Sequence, residues 1–387
     1  MSKIYKLTEV VNFIGGSQPP KSVFSDIKKD GYVRLIQIRD YKSDNYIVYI
    51  NEDSTKKFCT EDDIMIGRYG PPVFQILRGI SGAYNVALMK AEPKIDEVSK
   101  EYLFRFLQNP SIQNYIIGLS QRSAGQSGVN KEALEQYEIL LPSLIEQQRI
   151  VSKLDLLFEK IDKSIALHQK NIDEANAFMG SVLNDVFGEL EEKYGKTKIN
   201  DVVVKTNNVN PMNDLDKPFT YIDISSIDNK SFQIVEPKQL IGKEAPSRAK
   251  KEVVLGDIVY STTRPNLKNI SIVNKEYDNP IASTGFCVLR VNENTINSYL
   301  FYYLITDKLF EQIEPNIRGT QYPATSDKDL KNCNIPNTPL IIQQKVVKYL
   351  DEISQKTEKI KQAQKDKMNS LKALKASILD QAFKGEL

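Results

Sequence analysis

The sequence predicts an α+β protein in which two related globular domains alternate with two long coiled-coil helices that pack antiparallel. The first observation is a repeat, because LPSLIEQQRIVSKLD at 141–155 returns as NTPLIIQQKVVKYLD at 337–351. The second is that each copy opens a long segment with helical periodicity. The third is that a segment rich in β-branched and aromatic residues precedes each copy. A 387-residue chain that repeats at half its length consists of two copies of one unit.

The first globular domain is predicted over 1–140. Its β-branched and aromatic residues are interrupted by Gly, Pro, Asn and Asp, as in RLIQIRDYKSDNYIVYI at 34–50. This pattern predicts short strands joined by tight turns. Over 99–119 the apolar residues fall at helical spacing, so a helix is expected there.

The first spacer helix is predicted over 141–190. Its apolar seam alternates spacings of four and three residues over several heptads, which is typical of a coiled coil. The seam consists of Leu154, Phe158, Ile161, Ile165, His168, Ile172, Ala175, Met179, Val182 and Val186. His168 is the only histidine, and its place on the seam favours a packed residue over a metal ligand. Gly188 and Gly195, with charged residues between them, are expected to end the helix.

The second globular domain is predicted over 196–336, where four segments repeat the first domain more loosely than the helices repeat each other. The matches are TKINDVVV with YKLTEVVN, GDIVYSTTRP with DDIMIGRYGP, SYLFYYLITDKLFEQI with EYLFRFLQNPSIQNYI, and IRGTQYPATSDKDL with RSAGQSGVNKEAL. We therefore expect the two domains to share a fold and to differ in their surface residues.

The second spacer helix is predicted over 337–387. Its seam is broken by polar residues and should pack less regularly than the first. The seam consists of Leu350, Ile353, Ile360, Met368, Leu371, Leu374 and Ile378. Because the two helices have matched seams, they are expected to pack against each other, with one domain at each end of the antiparallel pair.

The composition is that of a soluble globular protein, with 41% hydrophobic and 26% charged residues. No apolar run approaches the ~18 residues that cross a bilayer, and the N-terminus lacks a signal-peptide core, so a cytoplasmic location without membrane contact is expected. Cys59, Cys287 and Cys333 form no CxxC pair and are expected to be reduced thiols in the core. The net charge of +2 does not decide the ligand, because a nucleic-acid binder needs its cations gathered on one surface.

The sequence gives little support to a catalytic function. A DNA aminomethyltransferase needs a Gly-rich cofactor loop and an Asn/Asp-Pro-Pro-aromatic motif, and the nearest strings are Asn109-Pro110-Ser111 and Asp278-Asn279-Pro280. No GxxxxGK[ST] loop for a motor is present. A catalytic methyltransferase or nuclease remains the alternative, and a coiled-coil scaffold without sequence preference is a third. Binding of S-adenosylmethionine by the chain alone would favour the methyltransferase, and metal-dependent DNA cleavage would favour the nuclease.

A protein with an internal two-fold repeat suits a two-part ligand, and duplex DNA is the commonest one. Two pairs of corresponding loops carry side chains that can contact bases or phosphates. The first pair is Arg68 and Tyr69 with Thr262, Thr263 and Arg264, each following a predicted strand. The second pair is Gln121, Arg122, Ser123 and Gln126 with Arg318, Thr320, Gln321 and Tyr322. Further candidates for the DNA backbone are Arg39, Lys42, Arg78, Arg248, Lys250 and Lys268. The lysines of the second helix are read as its solvated face.

The chain resembles the specificity subunit of type I restriction–modification systems. The resemblance rests on the order domain–helix–domain–helix, on the Pro-Leu-Ile-x-Gln-Gln helix starts at 142–148 and 339–344, and on the terminal Ala-Phe-Lys-Gly-Glu-Leu. It implies that each domain is a target recognition domain reading one half of a split, asymmetric double-stranded DNA sequence.

The resemblance also implies partners and cofactors. The helices would be a spacer and a docking surface for two methyltransferase subunits, with restriction–translocase subunits in the same complex. No cofactor is expected in this chain, whereas S-adenosylmethionine, ATP and Mg²⁺ are expected on the partner subunits. The paired glutamines Gln147, Gln148, Gln343 and Gln344 would either anchor each helix on its domain or form part of the docking surface. A modification-only system without a nuclease is a second alternative.

Overall fold

The computed structural model describes residues 3–120, 128–321 and 323–387. The chain forms two compact units. One unit comprises Met1–His168 with Lys365–Leu387, and the other comprises Gln169–Gln364. The predicted α+β class and the internal repeat are confirmed.

The first repeat contains ten strands and five α-helices among its described residues. In chain order these are β1 Lys3–Lys6, α1 Leu7–Val10, β2 Val11–Gly15, β3 Tyr32–Ile36, β4 Tyr49–Asn51, β5 Phe58–Cys59, β6 Ile64–Gly67, β7 Gln75–Leu77, β8 Gly82–Tyr84, β9 Leu88–Pro93, α2 Lys100–Leu107, α3 Pro110–Ser120, α4 Lys131–Gln136, β10 Glu138–Leu141 and α5 Leu144–Tyr194.

The second repeat follows the same order with two additional strands, β14 and β15. Its elements are β11 Lys196–Lys198, α6 Ile199–Val202, β12 Val203–Val204, β13 Pro218–Ile222, β14 Ile227–Asp228, β15 Gln233–Ile234, β16 Lys238–Ile241, β17 Ala249–Glu252, β18 Ile258–Ser261, β19 Ile270–Ile272, β20 Ile281–Ser283, β21 Phe286–Val291, α7 Asn297–Leu304, α8 Asp307–Ile313, α9 Asp327–Asn332, β22 Asn334–Pro336 and α10 Leu340–Lys384.

Both repeats build the same sheets. In the first, one four-stranded sheet has the order β2-β9-β6-β7 and another has β4-β3-β8-β5, while β1 pairs with β10. In the second, the corresponding orders are β12-β21-β18-β19, β16-β13-β20-β17 and β11-β22, with β14 and β15 forming a further hairpin. The pairs β3–β8 and β13–β20 are parallel, so in each repeat these two strands end at the same edge of their sheet.

The ends of α5 and α10 complete the core of a globular domain in each unit. In the first unit, Phe383 of α10 is 7% exposed, and its ring centroid lies 5.0 Å from that of Tyr102 and 5.3 Å from that of Phe106. In the second unit, Phe187 of α5 is fully buried, 5.3 Å from Tyr299 and 5.2 Å from Tyr303. The repeated Phe-Gly-Glu-Leu and Phe-Lys-Gly-Glu-Leu endings therefore have the same packing role.

The helices α5 and α10 run antiparallel within each unit. In the first unit, Arg149 of α5 donates to the Leu387 carbonyl oxygen at 2.8 Å, and Asp162 pairs with Lys375 at 2.7 Å. In the second unit, Asn171 donates to Gln364 at 3.3 Å. Along the seam of α5, Leu154, Phe158, Ile161 and Ile172 are buried as predicted.

Three details of the predicted helices are corrected. Helix α5 runs through Gly188 and ends at Tyr194, where Gly195 adopts φ +70° and its N–H bonds to the Glu191 carbonyl oxygen at 3.0 Å. Burial of Phe187 and Leu190 outweighs the helix penalty of about 1 kcal/mol for one glycine. In α10, Ile360 and Leu374 are 52% and 49% exposed and lie off the seam.

The seam of α10 instead passes through polar residues. Thr357 is 7% exposed, and the side chain of Lys361 is 12% exposed. A long lysine side chain can cover apolar surface with its methylenes while its ammonium remains at the edge, here paired with Glu358.

Candidate nucleic-acid interface

The first candidate surface is built where three strands of the first domain end together. Strand β3 ends at Ile36, whose carbonyl oxygen accepts from the Asn85 N–H, next after β8, at 3.1 Å. The Arg68 N–H, next after β6, donates to the Ala87 carbonyl oxygen at 2.8 Å. We call the loops 36–38, 67–70, 85–87 and the adjoining Gly128 the first strand-end surface.

Gly128 belongs to this surface because its backbone pairs with the Arg68 loop. The Val129 N–H donates to the Arg68 carbonyl oxygen at 2.9 Å, and Tyr69 and Gly128 form a β-bridge. A Cβ at Gly128 would meet the Tyr69 ring at 2.9 Å, so a larger residue here would displace that ring. The predicted contacts Gln121, Arg122, Ser123 and Gln126 lie outside the described residues.

The second domain builds the corresponding surface from the corresponding strands. The Thr262 N–H, next after β18, donates to the Gly285 carbonyl oxygen at 2.9 Å, in the turn after β20. The Thr325 N–H donates to the Thr262 carbonyl oxygen at 2.9 Å, and the Arg264 N–H donates to that of Pro323 at 2.7 Å. We call the loops 222–224, 261–265, 283–285 and 318–325 the second strand-end surface. The loops 261–265 and 318–325, which the sequence analysis matched with two loops of the first domain, therefore lie side by side. Tyr322 lies outside the described residues.

Arg68 and Arg264 are presented differently on the two surfaces. The half-buried Arg68 donates from Nη1 to the Val86 carbonyl oxygen at 3.2 Å, and its guanidinium lies 5.2 Å from the centroid of the Tyr69 ring. Arg264 is exposed and has a left-handed backbone with φ +49° and ψ +59° before Pro265. A non-glycine residue in this conformation costs about 1–3 kcal/mol, and such strain concentrates at functional loops.

Other predicted contacts remain at the protein surface. Arg318, Thr320 and Gln321 are exposed on the second strand-end surface. Lys42 and Arg248 are also exposed, and Arg39 lies in the loop after β3. The Lys250 ammonium donates to the Asn210 side-chain oxygen at 2.6 Å, and Thr263 is half-buried.

Arg78 and Lys268 make ion pairs within the fold, and the burial of Thr262 corrects its assignment as a DNA contact. The Arg78 guanidinium donates to both Glu101 carboxylate oxygens, at 2.7 and 2.8 Å, and lies 4.0 Å from the Phe104 ring centroid. Lys268 donates to the Ile305 carbonyl oxygen and to Asp307, both at 2.9 Å, and this hydrogen bond holds the pKa of Asp307 below its ordinary value. The Thr262 hydroxyl is buried and donates to the Gly285 carbonyl oxygen at 3.0 Å.

The glutamines of the helix starts divide into two kinds. Gln147 is fully buried, where its Oε1 accepts from the Ser99 N–H at 2.9 Å and its Nε2 donates to the carbonyl oxygens of Glu97 and Pro142 at 2.7 and 2.9 Å. This arrangement makes Gln147 an anchor of α5 on its domain and corrects its assignment to partner docking. Gln148, the next residue, is exposed.

Gln343 repeats these three bonds in the second domain. Its Oε1 accepts from the Ile296 N–H at 2.9 Å, and its Nε2 donates to the carbonyl oxygens of Asn294 and Thr338 at 3.1 and 2.8 Å. It is 4% exposed, so its docking assignment is corrected as well, whereas Gln344 is exposed.

Sequence analysis did not single out the carboxylates that fix the start of the central strands. Asp63 accepts from the Thr60 N–H at 3.0 Å, and Asp257 accepts from the Val254 N–H at 2.9 Å. Burial alone would raise the pKa of Asp63, but the Thr60 bond and the nearby ammonium groups of Lys100 and Lys90 hold it below its ordinary value. A sequence signal for these carboxylates was present in both repeats, because Asp-Asp-Ile and Gly-Asp-Ile each place an aspartate immediately before the first residue of a buried strand.

Metal clusters and membrane-spanning helices are both absent from residues 3–120, 128–321 and 323–387. Within these ranges no cluster of three or more His, Cys, Asp or Glu side chains could hold a metal ion. Over the same ranges no helix has the length and apolar character needed to cross a membrane. The three cysteines are buried and unpaired by disulfides.

Comparison with known proteins places this geometry in a family. Residues 2–177 and 191–370 each match the model of the type I restriction modification DNA specificity domain. The chain is 24% identical over 403 aligned positions to the type I restriction enzyme MjaVIII specificity subunit of Methanocaldococcus jannaschii, with 96% of this chain and 90% of that protein covered. It is 21% identical to the EcoBI specificity subunit of Escherichia coli, covering 98% and 85%.

A solved structure has the same fold along the whole chain. It is a chain from work on complex assembly and conformational transition of the type I R-M system, with a TM-score of 0.72 and 21% identity. The similarity covers 100% of this chain and 98% of that chain.

Proposed function

Because the chain belongs to the type I restriction modification DNA specificity family, in which it supplies recognition rather than catalysis, we propose that it reads a bipartite, asymmetric DNA target. Each domain reads one half-site with its strand-end surface. The helices α5 and α10 connect the readers and receive the partner subunits.

The duplication of the strand-end surfaces supports this proposal most directly. The same strand ends and the same neighbouring loop are used in both domains, but Arg68, Tyr69 and Gly70 on one surface correspond to Thr262, Thr263 and Arg264 on the other. One scaffold that carries different side chains suits two half-sites of different sequence. Arg can give paired donors to guanine, and Gln321 can address adenine.

Exposed apolar residues beside the exposed glutamines support a docking role for the helix starts. Ile145 is 83% exposed and Ile341 is 61% exposed, and each lies three residues before Gln148 or Gln344. Large apolar side chains at such exposure favour a protein contact. Because the patch occurs once in each repeat, it suits one kind of partner bound in two copies, which we identify as the methyltransferase subunit. S-adenosylmethionine, ATP and Mg²⁺ would be bound by the methyltransferase and restriction subunits.

Mapping of methylated bases tests the proposal. The chain is expressed with its methyltransferase subunits in cells without other DNA methylation, and the genome is sequenced for modified bases. The expected result is one split motif of two different half-sites with a spacer of constant length. A single contiguous motif would contradict bipartite reading, and methylation without sequence preference would contradict a recognition role.

A domain exchange tests the assignment of one domain to one half-site. Replacing residues 1–140 by the first domain of another family member should change one half-site and leave the other and the spacer length unchanged. A change in both half-sites would contradict independent reading. A chain with Ile145→Ser and Ile341→Ser separates the two functions, because it should lose methyltransferase binding while it folds normally.

A further inference from the structure

Arg39 and Tyr46 form a stacked pair in the loop between β3 and β4. The Arg39 guanidinium carbon lies 5.5 Å from the Tyr46 ring centroid, and Nη2 donates to the Tyr46 carbonyl oxygen at 3.3 Å. Tyr46 therefore holds the guanidinium with its ring and with its backbone. Both side chains remain accessible, because Tyr46 is 68% exposed and the side chain of Arg39 is 52% exposed.

The loop has its own support, which does not depend on this pair. The buried Asp40 carboxylate accepts from the Gln37 N–H at 3.1 Å and from Arg34 Nε at 3.3 Å. Arg34 also reaches Asp44, at 2.8 Å. By contrast, Arg39 Nε is 3.9 Å from the Asp40 carboxylate. Arg34 and Asp40 thus hold the backbone of this loop in place. The Arg39–Tyr46 pair lies on the exposed side of the loop.

The pair adjoins the first strand-end surface. Its loop begins at Ile36, which bonds to Asn85 of that surface, and Ile38 Cδ1 lies 3.4 Å from the position of a Cβ on Gly67. Arg39 is the next residue after Ile38. The loop that carries Arg39 and Tyr46 therefore borders the surface that carries Arg68 and Tyr69.

We propose that Tyr46 is a positioning residue that holds Arg39 for contact with a DNA phosphate next to the half-site read by the first domain. The inference rests on the proposed function and adds a residue to it. A guanidinium stacked on a ring keeps its N–H edge free for the paired hydrogen bonds that phosphate accepts. Because the stack already restricts the arginine side chain, less entropy is lost when the contact forms.

The corresponding loop of the second domain is built differently. Its aromatic residue, Phe232, packs inward with its ring centroid 5.7 Å from that of Phe301. Asn229 in the same loop donates to the Leu267 carbonyl oxygen at 2.9 Å. The Arg39–Tyr46 pair is therefore a feature of the first domain, and the phosphate contacts should extend further at the first half-site than at the second.

The salt dependence of DNA binding tests this inference. The complex of the chain with its methyltransferase subunits is titrated with a duplex that the wild-type complex selects from a randomised library, at about 50 to 200 mM salt. Arg39→Ala should lower the log–log salt slope by about 0.9, the value for one phosphate contact, and Tyr46→Ala should lower it by part of that amount, because the guanidinium that is no longer held makes the contact less often. The double variant should match Arg39→Ala, because Tyr46 acts only through Arg39. Tyr46→Phe keeps the ring and the backbone and should retain the wild-type slope.

Lys29→Ala is the matched control. The Lys29 ammonium lies 5.4 Å from the ring centroid of Tyr32, so it is also a cation on a tyrosine, but at the opposite end of β3. Its loss should leave the slope unchanged. A normal slope for Tyr46→Ala with a reduced slope for Arg39→Ala would overturn the positioning role, as would a reduced slope for Tyr46→Phe. Normal slopes for both alanine variants would remove the pair from the DNA while selective binding by the wild type upholds the proposed function. If the wild type selects no sequence, the proposed function itself fails.

Discussion

Changing Gln147 to Glu would test the amide anchor of α5 with minimal change in size. A carboxylate can still accept from the Ser99 N–H, but it would face the carbonyl oxygens of Glu97 and Pro142, to which the amide now donates at 2.7 and 2.9 Å. The site is fully buried, so water cannot solvate the introduced charge.

The expected loss is about 3–5 kcal/mol of unfolding free energy at pH 8, the cost of an uncompensated buried charge. The part of this cost that depends on ionisation is about 2 kcal/mol and, at about 1.4 kcal/mol for each pKa unit, would raise the pKa of the introduced carboxyl from about 4.3 to about 6. Between these values the folded state binds more protons than the unfolded state, so the variant loses stability as pH rises through this window. Below it the neutral acid can donate to one of the two carbonyl oxygens, and a loss of about 1–3 kcal/mol remains.

Urea unfolding of the wild type and the variant at several pH values between 5 and 8.5 measures this difference. Gln148→Glu is the control, because the adjacent side chain is exposed and should change stability by less than about 0.5 kcal/mol. Gln343→Glu should reproduce the result in the second domain. A loss below about 1 kcal/mol, or one that does not vary with pH, would refute the anchor.

The remaining predictions concern packing, DNA contact and thiol chemistry. Phe187→Ala and Phe383→Ala should each cost about 3–5 kcal/mol in urea unfolding, whereas Phe178→Ala, at 56% exposure, should cost less than about 0.5 kcal/mol. Arg264→Ala should weaken DNA binding by about 1–3 kcal/mol at one base position, or lower the salt slope by about one unit without loss of discrimination. Arg78→Ala should do neither, and equal effects of the two variants would contradict the assigned surface. All three cysteine thiols, whose pKa burial raises to about 11 or 12, should resist alkylation at pH 8 until the chain unfolds, as followed by mass spectrometry.

The repeat made the architecture predictable, because two copies of a pattern constrain each other. The correspondence of GDIVYSTTRP with DDIMIGRYGP indicated that Arg68 and Arg264 follow equivalent strands, and the structure has them after β6 and β18. The polar break in the second seam was visible as well. The sequence did not show which residues take the place of Ile360 and Leu374 on the seam, because a broken pattern fits more than one helical face.

The roles of individual polar residues could not be read from the sequence, because they depend on partners brought close by folding. Arg78 is paired with Glu101, and Lys268 is paired with Asp307, and neither pairing could be read from the sequence. Gln147 bonds to Ser99 and Glu97, far back along the chain, and this contact separates it from the adjacent Gln148. Repetition showed that the glutamines matter, and packing decides what each one does.

The packing of Phe383 in the core of the first domain has a consequence for synthesis on the ribosome. The core of that domain includes Leu379, Ala382 and Phe383, which follow the whole second unit in the chain. The second unit, Gln169–Gln364, is complete before they emerge. At about 5–20 residues per second, the first domain waits roughly 10–40 s for its final aromatic residue. The domain that is made first is therefore completed after the second one, and part of its core stays uncovered in the interval.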